Sequence, residues 1–283
     1  SVGFNIYNSK TIVTKYNNES KILFKSDGNN NYYEGYEIGS IWGYVTDGYY
    51  SVDDFTDTNS WKLKDGVVSV DGINPRPGDI KFKNLRDDEN STNRIDEGDG
   101  TLANPGDRKI IGNNALRLQY GINLGASYKG FHLDVLLQGI GKRDVWISDA
   151  RRWPFASGQF GQIFSDQLDY WKPVDAANGD WTAENPNAEF FRIYGQRNNS
   201  GYNTRKQTKY LLNGAYLRIK NVTLSYSFPQ KLISPIYLSE LKAFVSCENL
   251  HTFSHLPKGY DPERLSWGYP FYRTISFGIN VTL

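Results

Sequence analysis

Residues 116–128 alternate without a break. Leu116, Leu118, Tyr120, Ile122, Leu124, Ala126 and Tyr128 fall on one face, and Arg117, Gln119, Gly121, Asn123, Gly125 and Ser127 on the other. Only a β-strand has a side-chain period of two, so this run predicts a strand with one apolar and one polar face. Lys129-Gly130 then predicts a tight turn into a partner strand, with Phe131, Leu133, Val135 and Leu137 set against His132, Asp134 and Gln138. A second hairpin is predicted from Ala215 to Asn249. Val222, Leu224, Tyr226 and Phe228 face one way on its first strand, and Leu241, Ala243, Val245 and Cys247 on its second, with Pro229 and Pro235 in the turn. Leu217 and Ile219 sit in the opposite parity, which predicts a bulge near Lys220-Asn221. Ile275, Phe277, Ile279, Val281 and Leu283 make a closing strand. Residues 1–15 and 38–50 are strand-like without a clear register.

Strand length separates a membrane barrel from a soluble sandwich. Soluble strands run about 5–6 residues. Thirteen residues at roughly 3.3 Å each span about 43 Å, and a tilt near 45° reduces that to about 30 Å, the thickness of bilayer hydrocarbon. No run of about 18 apolar residues predicts a membrane helix, and the composition is polar on average. A barrel is compatible with both facts, because only alternate residues face lipid. The 15 % of aromatic residues suits strands and membrane-interface girdles. Between the strands lie long segments near 51–113 and 144–209 with little alternation. Unstructured segments of that length are foreign to a compact soluble domain but usual for extracellular loops of a barrel. The end at Lys129-Gly130 would then face the periplasm. The fold class expected is therefore all-β, an antiparallel transmembrane barrel.

The net charge of +1 indicates no nucleic-acid partner. The single cysteine, Cys247, excludes an internal disulfide framework and Cys-rich metal sites. The 283 residues include no Met, and Ser1 opens the chain without an export signal, so part of a longer protein is expected. One loop has the spacing of a calcium site. From Asp88, oxygen donors fall at Asn90, Thr92, Asp96 and Asp99, with the Arg94 carbonyl at the seventh position. Asn93 stands where such loops carry a turn glycine, and Asp99 is shorter than the usual Glu. A Ca²⁺ ion here would stiffen the loop; an acidic, solvated loop is the alternative. Enzymatic residues are scarce. His132, His251 and His255 are the only histidines, and His132 and Asp134 share one strand face, expected to line the lumen. No nucleophile-elbow, phosphate-loop or zinc-protease motif occurs.

Several segments resemble the SusC/RagA family of TonB-dependent outer-membrane transporters. Residues 39–50 (GSIWGYVTDGYY) resemble its G-x-x-x-G-Y-x-T-D-G-aromatic stretch. Residues 77–83 (PGDIKFK) and 106–113 (GDRKIIGN) resemble two further motifs, and 215–226 (AYLRIKNVTLSY) a late strand. Glu248-Asn249-Leu250 and the strand Arg273–Leu283 follow in the family's order. The final Leu283 departs from the usual closing Phe. The resemblance covers nearly the whole chain and implies the C-terminal part of a 22-stranded, plugged barrel. The family's signal peptide, TonB-contact segment, plug and early strands are absent from the sequence. It further implies energised import of glycans or peptides across the Gram-negative outer membrane, with a SusD-like lipoprotein and TonB as partners. The partners implied further include the rest of the barrel and outer-membrane lipids. On that reading Trp146, Trp153, Trp171 and Trp181 are the candidates to stack on cargo, with loop packing and the lipoprotein interface as the alternative use of their rings. Two other classes remain: a self-contained porin or barrel hydrolase, and a soluble β-sandwich binding module.

Overall fold

The computed structural model describes residues 1–23, 32–70, 72–87, 94–149, 151–154, 163–193, 200–265, 269 and 271–283. The chain divides into two compact units. One is a sheet unit of Ser1–Lys10, Ala115–Val145 and Leu212–Leu283; the other is a loop unit of Thr11–Asn114 and Trp146–Leu211.

The sheet unit is a six-stranded antiparallel meander. Its strands are β1 (Val2–Tyr7), β2 (Arg117–Tyr128), β3 (Phe131–Lys142), β4 (Tyr216–Ser227), β5 (Glu240–Ser254) and β6 (Thr274–Thr282), hydrogen-bonded in that order. The β2–β3 turn forms at Lys129-Gly130, with φ of 48° and 87°. Positive φ at both central residues matches the right-handed twist of the flanking strands and explains the glycine. The β4–β5 connection folds as two short helical turns, Gln230–Ile233 and Ser234–Ile236. Both short connections lie at one end of the sheet, and the long ones leave from the other.

The register aligns the apolar residues of every strand. Phe4 pairs with Ile122, Leu124 with Val135, Val135 with Val222, Val222 with Cys247 and Cys247 with Ile275. The result is one continuous apolar face that stays open to its surroundings: Phe4 is 62 % and Phe277 80 % exposed. Water would not leave such a face uncovered on a monomer, whereas lipid covers it. Rings gather on this face at its short-turn end, where Phe131 lies 4.6 Å from Tyr226 and Tyr226 lies 5.0 Å from Phe228. That is the position of an interfacial aromatic girdle. Among the described residues β1 and β6 each pair on one side only. An unpaired strand edge in lipid leaves backbone groups unsatisfied, so this sheet is part of a wall that further strands close.

Two local departures from alternation have consequences. The predicted bulge is present, with the register shifting between Ile219 and Asn221 against both neighbours. At the head of β2 the expected parity fails. Leu118 adopts φ of 54°, and Leu116 joins Gln119 and Gly121 in lining a pocket on the polar side instead of extending the apolar face.

The loop unit corrects the expectation that residues 144–209 are unstructured. It has its own core, in which Tyr44, Ile80, Phe82, Trp153, Phe190, Phe191, Tyr202 and Tyr210 are buried together. Residues 38–50, strand-like by sequence, supply two short strands here and none to the large sheet. Ser40–Tyr44 pairs with Arg108–Asn113, and Thr46–Tyr49 with Ile80–Phe82.

Candidate functional site

The three N-terminal family-like motifs meet in the loop unit. The stretch 39–50 provides both strands just described, 106–113 pairs with the first, and 77–83 with the second. Two buried aspartates tie their ends. Asp107 accepts the backbone N–H of Leu85 at 2.5 Å and those of Arg86 and Asp96 at 2.9 Å each. Asp79 accepts the Arg76 N–H and the Asn203 side-chain amide, both at 2.9 Å, and Asn203 in turn accepts the Ile80 N–H at 2.8 Å. Carboxylates with no exposure persist because hydrogen bonds replace the lost water. These motif residues act as knots of the loop fold.

The four tryptophans proposed for cargo separate by burial. Trp153 is 6 % and Trp171 2 % exposed. Trp153 packs edge-on to Tyr210 at 4.9 Å, and Trp171 covers Gly78, where a Cβ would come within 2.4 Å of the indole. Neither offers a ring face to an incoming ligand. Trp146 is half-buried against Trp153. Trp181 is also partly open. Its ring meets Trp61 at 5.1 Å in a T-shaped contact, and the Arg192 guanidinium lies 5.2 Å from its centroid. Trp61 lies outside the segment 144–209 from which the sequence suggests its aromatic candidates. Nothing local in the sequence pairs residue 61 with residue 181.

The turn that presents Trp61 is built on Asp57. The Ser60 hydroxyl donates to it at 2.6 Å, as do the N–H groups of Ser60 at 2.6 Å and Asn59 at 2.8 Å. Those donors, the Ser60 hydroxyl first, hold the Asp57 carboxyl at about 2 against an ordinary 3.8. A depressed folded value means that ionised Asp57 supports the turn above the ordinary value and loses that support as pH falls through the folded one. Limited pepsin digestion is therefore expected to open residues 56–62 as pH drops from 3.8 to about 2. Asp57→Asn should be cut equally at both ends of that range.

The sheet's other face is polar. Asn5, Gln119, Asn123, His132, Asp134, Gln138, Thr223 and Ser246 share it by register. His132 bonds Ser127 Oγ at 2.8 Å and stands 3.5 Å from Ser227 Oγ. Among the described residues it makes no bond to Asp134, so the two do not form a dyad. Near the long-connection end a pocket of about 650 Å³ opens on this face, lined by Asn5, Gln119, Gln138, Arg143, Tyr216 and Glu263 among others. In the acidic loop, Asp88, Asn90 and Thr92 lie outside the described residues. Asp96 and Asp99 each accept a turn N–H, from Gly98 and from Thr101 respectively.

Long antiparallel strands with one open apolar face, one polar face and two unpaired edges define a portion of transmembrane β-barrel wall. No family model matches the chain. It is 26 % identical over 265 residues to TonB-dependent receptor P3 of Formosa agariphila, covering 88 % of this chain and 22 % of that protein. To TonB-dependent receptor P26 of the same organism it is 26 % identical over 202 residues, covering 66 % and 19 %. Its fold matches the RagAB peptide transporter with a TM-score of 0.63 at 19 % identity, over 99 % of this chain and 26 % of that one. The RagAB peptide importer in its closed-closed state matches with a TM-score of 0.61 at 19 % identity, over 99 % and 27 %. The chain thus spans about a quarter or less of the proteins it matches. Motif order, sheet and these likenesses together make the chain similar to TonB-dependent receptors, with the fold of a portion of a barrel wall and its loops.

Proposed function

We propose that this chain forms the wall and part of the mouth of an energised outer-membrane importer of glycans or peptides, working with a SusD-like lipoprotein. The observation that carries this is the sheet itself: strands of up to 15 residues, apolar on one side across all six and polar on the other. The similarity to TonB-dependent receptors supplies the energised character, with TonB engaged through parts of the protein beyond this chain. Those receptor names also support a transport role over a catalytic one. In the loop unit, Trp61 and Trp181 with Arg192 offer a partly open aromatic and cationic surface on which a sugar ring or peptide side chain can stack.

Uptake separates an importer from a porin. Cells carrying the complete protein are expected to take up labelled oligosaccharide or oligopeptide saturably, and a protonophore should abolish that uptake. Uptake that is linear in concentration and indifferent to the protonophore would support a passive porin and end this reading. The calcium loop rests on the spacing from Asp88 to Asp99 alone. Terbium luminescence on the complete protein, lost in Asp88→Asn/Asp99→Asn, is the expected result if it binds; no sensitised emission from the unaltered protein would dismiss it.

A further inference from the structure

The β5–β6 connection folds back onto the polar face, two strands away from β6. Its anchor is Arg218 on β4, whose side chain is 2 % exposed. Arg218 Nη2 lies 2.7 Å from both carboxylate oxygens of Asp261, and Nε donates to Thr252 Oγ1 at 2.8 Å. Lys220 Nζ reaches Glu263 at 2.9 Å, and Arg143 donates to the Pro262 carbonyl at 3.1 Å. The bulge makes this possible. Arg218 and Asn221 both belong to the polar face by register, and the extra residue between Ile219 and Asn221 brings Lys220 to the same side. Two cations therefore meet two carboxylates set two residues apart in the connection.

The pinned residues line a pocket. Pro262 and Glu263 line the 650 Å³ pocket together with Asn5, Gln119 and Gln138. The closure is incomplete as electrostatics. Arg143 Nε and Glu263 Oε1 are shielded from water, yet among the described residues neither makes a hydrogen bond. A part-satisfied charge network gains less than a complete one from staying shut.

We propose that residues 255–265 are a lid over this wall pocket, latched by Arg218 to Asp261 and by Lys220 to Glu263. The inference concerns the wall alone and stands whether the pore is energised or passive. A cysteine placed under the lid reads its state. In the complete, membrane-inserted protein carrying Cys247→Ser and Gln138→Cys, a charged, membrane-impermeant maleimide should label residue 138 slowly. Adding Asp261→Asn/Glu263→Gln should raise that rate at least tenfold. Arg218→Lys keeps the charge but cannot span both carboxylate oxygens, and should give an intermediate rate. Heat-modifiable migration on a denaturing gel verifies that each barrel is folded, and if the double variant fails this test, Arg218→Lys decides. Rapid labelling with the latch intact, or equal rates with and without it in folded barrels, would overturn the lid.

Discussion

Trp171→Ala is expected to cost the loop unit about 3–5 kcal/mol, the range for deleting a large buried aromatic. The indole is 2 % exposed and lies on Gly78, whose φ of 88° is open to few other residues. Around that contact the backbone is stitched from four segments. Gly78 N–H donates to Tyr50, Arg192 N–H to Gly78, and Trp171 N–H to Phe190. Removing the ring therefore leaves a cavity at the point where residues 50, 78, 171 and 192 converge. Hydrogen exchange should show lost protection at those amides while the β2–β5 amides stay protected. Protection unchanged at residues 78 and 192 would mean that the indole is not part of the core. The converse change, Gly78→Ala, should fail at the same place, because its Cβ would meet the indole and the Arg192 side chain.

Val245→Arg is expected to destabilise the barrel by about 2–4 kcal/mol if Val245 faces mid-bilayer, whereas Ser246→Arg should cost far less. The two residues are neighbours on β5 and point to opposite faces. Val245 pairs with Leu224 and Phe277 in the apolar band; Ser246 pairs with Thr223, whose hydroxyl lies 2.8 Å from its own. A guanidinium in hydrocarbon has no partner, while one on the polar side finds water or hydroxyls. Urea unfolding in liposomes measures both. Equal costs would remove the distinction between the faces.

The reach of the sequence differs between the two units for a physical reason. In the sheet, a period of two is local. Residues 120–128 and 275–283 each reveal a strand and a face without reference to any other part of the chain, whereas the parity of Leu116 and Leu118 does not carry over. The bulge at Lys220 was legible too, as a change of parity between Ile219 and Val222. In the loop unit, strands of three to six residues pair across long separations, such as Thr46 with Phe82 and Ser40 with Asn113. No periodicity can appear in so few residues. The motifs marked where this unit would be ordered but not why, and the reason lies in Asp79 and Asp107 accepting backbone donors from distant segments. Trp153 and Trp171 read as loop aromatics, and the structure buries both. The Arg218–Asp261 pair was equally hidden, since 43 residues separate its partners.

If the sheet is barrel wall, the apolar face of the six strands meets lipid and the other face does not. Spin labels placed one at a time on residues 242–247 of β5, in the complete protein in liposomes, test it directly. Collision with oxygen should peak at 243, 245 and 247, and collision with a water-soluble nickel chelate at 242, 244 and 246. Equal accessibility to the chelate at all six positions would contradict it and return the chain to the soluble β-proteins.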